Sequence, residues 1–449
     1  SDADLLPLLA KVDVGILDAV ELFLCCGVDW EAGAYTVPPE LPLARTHSWD
    51  AFLASGSADF VWPDVPETSL HALCYTSGTT GSPKGAGYSH RSTYLHTLMA
   101  VGADQLAIRG SDVVLPFVPM FHVLSWGVPF INLMLGTRTV FSGNQMEADK
   151  VLDMMIDWKV QVSTGVPTVW QGVRAAIEKR GLRKVAANFS LRMLTCGGSA
   201  PPPDLMRWYM DNLGVEFLQA WGMTETNPLG SLSRRVAKHK DLAKTPEQTF
   251  ANCTKAGLPA PGLEVRIANP EDWDKDMPHG EPGELMLRGP WVIAEYYRYK
   301  AEDKFHNGWL VTGDVAKLDE EGAIIITDRS KDVIKSGGEW ISSIDLENHI
   351  AGLGDISIAA VVSVPHPRWD ERPVAVVSLS DPGAAKGLAE RVTQHCLKSF
   401  AKFQVPDDVV VWDEIPLTST GKLDKKRIRE KLAKEGYVLP TTREPKSKL

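Results

Sequence analysis

From Leu70 onward, short apolar runs alternate with stretches whose apolar residues recur every three or four positions. Leu70–Cys74 is mostly apolar and reads as a buried strand. Ser89 then stands as a helix cap, with Tyr94, Leu95, Leu98, Met99 and Val101 on one broad face beyond it. Val113–Val118 is β-rich, Trp126–Leu135 predicts a buried helix, and Thr137–Ser142 another strand. Val151, Met154, Met155 and Trp158 keep helical spacing ahead of the strand Val160–Ser163. Pro167 opens a helix through Trp170, Val173 and Ile177, and Trp170 and Trp208 read as core. Leu191–Thr195 runs into Gly197-Gly198, and Val215–Leu218 into Trp221-Gly222. This alternation predicts a layered α/β domain with mostly parallel strands, and ligands in such sheets sit beyond the strands' carboxyl ends.

The pattern then changes. Between Gly257 and Gly289, short strands (Leu263–Ile267, Glu284–Leu287) lie among glycines and prolines, as in a β-rich subdomain. After the polar stretch Asp328–Lys335 come a helix (Ile344–Ile350), strands (Ala359–Val364, Val374–Leu379), a helix (Leu388–Leu397) and a strand (Val409–Trp412). The expected class is α/β. Residues 1–328 form a large multi-layer domain with mostly parallel sheets and the β-rich subdomain, and 329–449 a small mobile α+β domain hinged near Lys331. Lys422–Lys434 reads as a basic amphipathic helix with a solvated face.

Bulk properties narrow the partners. The formal net charge of −10 argues against a nucleic-acid partner. No apolar run reaches the ~20 residues of a transmembrane segment. The scattered cysteines fit a reducing compartment better than a structural zinc site. The last residues, Ser447-Lys448-Leu449, spell the peroxisomal address, so the expected location is the peroxisome and one expected partner its import receptor. The opening Ser1-Asp2-Ala3-Asp4 carries no initiator methionine. Self-association is left open.

The chemistry centres on Tyr75–Gly85. Thr76, Ser77, Thr79 and Thr80 supply hydroxyls, Gly78 and Gly81 permit close backbone approach, and Lys84 supplies a mobile cation. A polyphosphate explains such a loop. It is not a Walker A loop, because Pro83 precedes Lys84 and Gly85 follows it.

Four more stretches follow in order: Trp221-Gly222-Met223-Thr224-Glu225, Trp309–Asp314, Asp328–Asp332 and Pro416–Lys422. With Tyr75–Gly85 they resemble the core motifs of adenylate-forming enzymes, the superfamily of acyl-CoA synthetases, peptide-synthetase adenylation domains and beetle luciferases. Pro119–His122, Gly165–Trp170 and Lys335–Ser343 look like its fatty-acyl-CoA synthetase branch. Against family members the chain is expected to begin partway through the large domain.

The resemblance implies ATP, Mg²⁺ and coenzyme A as cofactors and a carboxylic acid as substrate, joined first to AMP and then to CoA. Thr76–Lys84 would hold the β- and γ-phosphates, Thr224 the α-phosphate and Glu225 the Mg²⁺. Asp314, helped by Arg329, would bind the ribose, and Gly198, Ser199, Ala200 and Trp221 would line the adenine pocket. The family usually has Tyr at position 221, so a hydrogen bond from that phenol is lost. Lys422 would be the adenylation lysine, on a small domain that closes for adenylation and turns away for thioester formation. Lys335 and Trp340 would approach the AMP phosphate. His122 would sit near the carboxylate and Trp126 would gate an apolar acyl tunnel walled by Phe121 and Phe130. The expected function is fatty-acyl-CoA synthesis. A ligase for a short acid such as 3-methylthiopropionate stays open, as does a non-catalytic nucleotide- or acyl-binding subunit.

Overall fold

The computed structural model describes residues 12, 14–26, 46–76, 83–143, 146–234, 245–337, 339–418 and 422–439. Ser77–Gly81 of the glycine loop and the Ser447-Lys448-Leu449 address lie outside the described residues. Contacts divide the chain into residues 1–66 and 67–449, a division the composition does not reveal. The first unit contains helix α1 (Val14–Asp18), the parallel strands β1 (Phe23–Cys25) and β2 (Thr46–Ser48), and helix α2 (Trp49–Ala54).

The second unit opens with a hairpin. Strands β3 (Leu70–Tyr75) and β4 (Gly85–Ser89) pair antiparallel and pin both ends of the glycine loop. Ser89 caps helix α3 (His90–Ala100), its side chain accepting from the Ser92 N–H. The buried face of α3 differs from the expected one: Thr93, His96, Thr97 and Ala100 are buried, while Tyr94 and Leu98 are exposed. A largely polar stripe at helical spacing thus faces inward, and His96 within it borders a cleft.

Among the described residues the main sheet has seven strands, in the spatial order Leu258–Pro259, Leu229–Leu232, Glu216–Gly222, Met193–Cys196, Val162–Gly165, Val113–Pro116 and Arg138–Thr139. Strands β5 (Val113–Pro116), β6 (Arg138–Thr139), β7 (Val162–Gly165), β8 (Met193–Cys196) and β9 (Glu216–Gly222) are parallel, as expected. Beyond β9, β10 (Leu229–Leu232) and β11 (Leu258–Pro259) run antiparallel. Helices α4 (Val128–Leu135), α5 (Ala148–Asp157), α6 (Pro167–Arg180) and α7 (Pro203–Leu213) connect the parallel strands. Leu194 and Phe217 pack with Met155, Trp170 and Tyr209 on one face, and Val162, Met193 and Leu218 pack with Ala100, Val128 and Ile131 on the other.

The helix expected over Trp126–Leu135 is broken at its start. Val123, Leu124, Ser125 and Trp126 have φ of 47°, 51°, 54° and 58°, a left-handed turn closed by Gly127 at 73°. Each L-residue there costs about 1–2 kcal/mol. The turn is held by surrounding contacts, among them Ser125, whose hydroxyl donates to the Val118 carbonyl at 2.6 Å. Its effect is to turn the Trp126 indole toward Gly197, where a Cβ would stand 2.9 Å from the ring.

Helix α8 (Pro246–Cys253) precedes an antiparallel sheet of β12 (Glu264–Asn269), β13 (Asp272–Asp276), β14 (Gly283–Arg288), β15 (Phe305–His306), β16 (Trp309–Leu318) and β17 (Ile324–Arg329). The β-rich subdomain therefore extends to Arg329. From Ile334 the chain builds a separate sheet from β18 (Ile334–Ser336), β19 (Glu339–Ile341), β20 (Ile356–His366), β21 (Asp370–Leu379) and β22 (Asp408–Val411). Helices α9 (Ser343–Ala351) and α10 (Leu388–Cys396) cover one face, and α11 (Lys425–Lys434) the other.

The face of α11 is not simply solvated. Ile428 and Leu432 are buried, and Lys425 meets the buried Glu347 at 2.9 Å. The Lys425 ammonium also donates to the Ser343 hydroxyl, which donates to Asp328, each at 2.5 Å. Burial pushes Glu347 up to about 7, against the pull of Lys425. Burial alone would lower Lys425, but the Glu347 and Asp328 carboxylates outweigh it and hold the ammonium above its ordinary value.

Candidate active site

The carboxyl ends of the parallel strands, the β16–β17 edge and Lys422 meet around a cleft of about 440 Å³. Each group there is placed by local backbone structure. At the hairpin end, the Thr76 N–H donates to the Lys84 carbonyl at 2.9 Å and the Lys84 N–H to Thr76 Oγ1 at 3.0 Å. The Lys84 ammonium lies 5.2 Å from the Tyr296 ring centroid and 5.0 Å from that of Tyr299, a cation held between two π faces. Tyr296 donates its hydroxyl to Glu225 Oε1 at 2.5 Å. Burial and the adjacent carboxylate hold that phenol well above its usual range, so it stays protonated and donating.

Thr224 and Glu225 follow β9 on a single tight turn. The Tyr88 hydroxyl donates to the Thr224 carbonyl at 2.6 Å, and the Ile293 N–H to the Glu225 carbonyl at 3.0 Å. Trp221 packs over Gly230, where a Cβ would come within 2.3 Å of the indole. Its Nε1–H donates to Asp314 Oδ2 at 2.9 Å, and Arg329 Nε lies 3.4 Å from Asp314 Oδ1. Tryptophan at 221 thus supplies the donor that its missing phenol does not.

Glu284 fastens the hinge side. Its buried carboxylate accepts from the Gly313 N–H at 2.6 Å and from the Ser330 hydroxyl at 2.7 Å. Burial raises this acid, and the two donors work against that rise. Lys422 is half-buried against Gly198, where a Cβ would stand 3.0 Å from its Cε. Gly198 has φ of +86°, so glycine serves both backbone and space there. Burial first, then the Arg329 charge, lowers Lys422 to about 8, with Asp314 and Glu225 opposing. Burial and then Lys422 lower His122 to about 4, so its imidazole is neutral near pH 7.

Most expected site residues therefore converge. Thr76, Lys84, His122, Trp126, Gly198 and Trp221 line the cleft, as do Gly222, Met223, Thr224, Glu225, Asp314, Arg329, Lys331 and Lys422. Ser199 and Ala200 instead border a neighbouring cavity of about 250 Å³, which Gly198, Arg329, Lys331 and Lys422 share. Lys335 and Trp340 face each other across the β18–β19 hairpin, exposed and lining neither cavity.

The acyl wall needs correction. Phe121 is 71% exposed, and Phe130 packs edge-on against His71 at 5.3 Å. Neither lines the cleft: Phe121 faces solvent and Phe130 is turned to His71. Leu106, Val123, Trp126, Val128 and Leu229 form the apolar wall. Sequence reasoning missed Tyr296, Glu284, Tyr88 and His96. The Thr93–His96–Thr97 spacing on α3 was a readable signal; for Glu284 there was none.

One family model, described as "AMP-binding enzyme", matches residues 36–297, and another, "AMP-binding enzyme C-terminal domain", matches residues 345–422. The chain belongs to the AMP-binding enzyme family. It is an AMP-forming acid–CoA ligase that uses ATP, Mg²⁺ and coenzyme A. Among similar proteins is the 3-methylmercaptopropionyl-CoA ligase of Ruegeria lacuscaerulensis, 39% identical over 96% of this chain and 77% of that protein. The medium-chain-fatty-acid–CoA ligase of Ectopseudomonas oleovorans is 36% identical over 96% of this chain and 76% of its own. The fold matches the solved anthranilate CoA ligase AuaEII in complex with anthranoyl-AMP, with a TM-score of 0.82 at 23% identity, over 97% of this chain and 78% of that one.

Proposed function

We propose that this ligase activates an aliphatic carboxylic acid, with Lys422 driving adenylation and the residues around it holding ATP. One observation carries the reading: the half-buried Lys422 ammonium stands against Gly198 in the same cleft as Lys84, Glu225 and Asp314. A carboxylate oxygen attacks the α-phosphorus, the bond to the β-phosphate bridging oxygen breaks, and pyrophosphate leaves. The CoA sulfur then attacks the acyl carbon, the bond to AMP breaks, and the thiol proton passes to solvent. Such chemistry is mainly positioning and charge stabilisation. Lys422 neutralises charge between carboxylate and α-phosphate, Thr224 contacts that phosphate, and Thr76–Lys84 hold the departing pyrophosphate. Asp314, Arg329 and Trp221 take the nucleoside, and His122, being neutral, orients the acid as a hydrogen-bond partner.

Mg²⁺ needs few protein ligands when phosphates complete its shell. Among the described residues no cluster of three or more His, Cys, Asp or Glu could hold a metal alone, and the Glu225 carboxylate, which shares Tyr296 with Lys84, suits a site completed by phosphate. There Mg²⁺ would offset phosphate charge.

Acid-dependent exchange of pyrophosphate into ATP tests the reading. Exchange with short or medium aliphatic acids supports it, and exchange only with aromatic acids overturns it. The thioether acid is the second reading, favoured by 39% identity to a 3-methylmercaptopropionyl-CoA ligase over 96% of the chain. For the fatty-acid reading, a role in lipid metabolism follows. Peroxisomal import through Ser447-Lys448-Leu449 requires that tripeptide at a free carboxyl end, and loss of organellar targeting when it is removed is the corresponding test.

The pH profile tests Lys422. It acts as the cation, and its folded-state value is about 8. The kcat/KM of adenylation should therefore fall as pH rises through about 8. Because the Arg329 charge lowers Lys422, Arg329→Gln should move that fall to higher pH. An unmoved alkaline limb would separate it from Lys422.

A further inference from the structure

The inner end of the cleft carries groups that a plain hydrocarbon chain does not explain. Thr164 on β7 and Thr195 on β8 are register partners on adjacent parallel strands, each 1% exposed and each lining the cleft. Their strand neighbours Val162 and Met193, two residues earlier, pack with Leu106, Val128 and Leu229, so the threonines stand on that same face of the sheet. The hydroxyl oxygens of both have no hydrogen-bond partner among the described residues. His96 also borders this end; its Nε2 accepts from the Leu229 N–H at 3.3 Å, which puts the imidazole proton on Nδ1. Burial lowers His96 to about 3, so it is neutral.

Buried hydroxyls almost always find a partner, and leaving one without is costly. Two side by side in a recess whose other walls are the apolar Leu106, Val128 and Leu229 and the neutral His96 are best explained by a ligand atom that completes them. Thr195 precedes Gly198, the Lys422 contact, by three residues, at most about 11 Å of chain. A carboxylate at Lys422 would place the middle or far end of a short chain beside the threonines.

Resting on the adenylation reading above, we propose that Thr164 and Thr195 select the acid: a short aliphatic acid with an uncharged hydrogen-bond acceptor, an ether or thioether, partway along its chain. The hydroxyls donate to that heteroatom. An all-carbon chain of equal length leaves them unpaired, and sites built to hydrogen-bond a substrate discriminate strongly against analogues lacking the group.

The test compares pyrophosphate exchange with 3-methoxypropanoate, 3-(methylthio)propanoate and their all-carbon isostere pentanoate. At least one heteroatom acid should exceed pentanoate in kcat/KM by about tenfold or more, the worth of one hydrogen bond to a donor pair. In Thr164→Val/Thr195→Val that ratio should fall to about one. Because valine keeps the shape and removes the unpaired hydroxyls, the ligand-free variant should melt no lower than the parent, and a folded variant therefore reports selectivity. Equal kcat/KM for pentanoate and both heteroatom acids in the parent overturns the selection while leaving the adenylation reading intact. A ratio that survives in the folded double variant overturns the role of these residues. No exchange with any of the three, alongside exchange with longer alkanoic acids, also overturns the proposal. No exchange with any aliphatic acid overturns the reading on which it rests.

Discussion

Lys422→Ala lowers adenylation by about 10²–10³-fold, while thioester formation from a supplied acyl-adenylate stays close to that of the parent chain. The expectation follows from where the ammonium sits. It is half-buried in the cleft, flanked by Arg329 and opposed by Asp314 and Glu225, so with much of its water removed its charge acts on whatever lies against Gly198. Removing one preorganised donor of this kind costs about 3 kcal/mol of transition-state stabilisation. Two of the other cations lining the cleft are otherwise engaged, Lys84 between Tyr296 and Tyr299 and Arg329 with Asp314. Pyrophosphate exchange and single-turnover thioester formation measure the two halves separately. Equal loss in both would show that Lys422 holds the site together and does not act in the first step.

The second large effect is on stability. Lys425→Ala leaves the buried Glu347 carboxylate without its cation, and breaking a buried pair from one side typically costs about 3–5 kcal/mol. Denaturant unfolding should show this loss in the part of the chain beyond Ile334. The deficit depends on pH with a definite sign. Glu347 already has a folded value raised to about 7, above the ordinary 4.5, and losing Lys425 removes an influence that lowers it. A raised acid stabilises the fold below its unfolded value and loses that contribution as pH rises through the folded value. The variant should therefore be weakest above pH 7 and recover part of its stability toward pH 5. Lys425→Met with Glu347→Gln should restore part of the loss, since the Glu347 charge goes with its partner while the buried Asp328, which Lys425 also serves, keeps its own.

Much of this site was legible in the chain because its chemistry is written in short local motifs. Thr224 and Glu225 follow a strand end directly, and Asp314 lies on a strand whose neighbours set its direction. Groups that act through distant contacts were hidden. Glu284 reaches Gly313 and Ser330 only once the sheet has formed, and Tyr296 reaches Glu225 across 71 residues. Periodicity also failed where function overrides packing. On α3 the inward face carries His96, which borders the cleft, and Thr97, whose hydroxyl donates back to the Thr93 carbonyl, so the apolar stripe of Tyr94 and Leu98 pointed the wrong way. The antiparallel edge formed by β10 and β11 had no signal, since Leu229–Leu232 resembles any short apolar run.

The left-handed turn at Val123–Trp126 reverses the usual arithmetic of mutational scanning. Across most helices a glycine scan reports damage, since glycine loosens the unfolded chain and alanine is the benign choice. At Leu124, with φ of 51°, the backbone already occupies the region in which glycine is at ease and alanine is not. Substitution tables averaged over ordinary helices will misjudge this segment, and a library built here should be ranked by mirror-image preference instead.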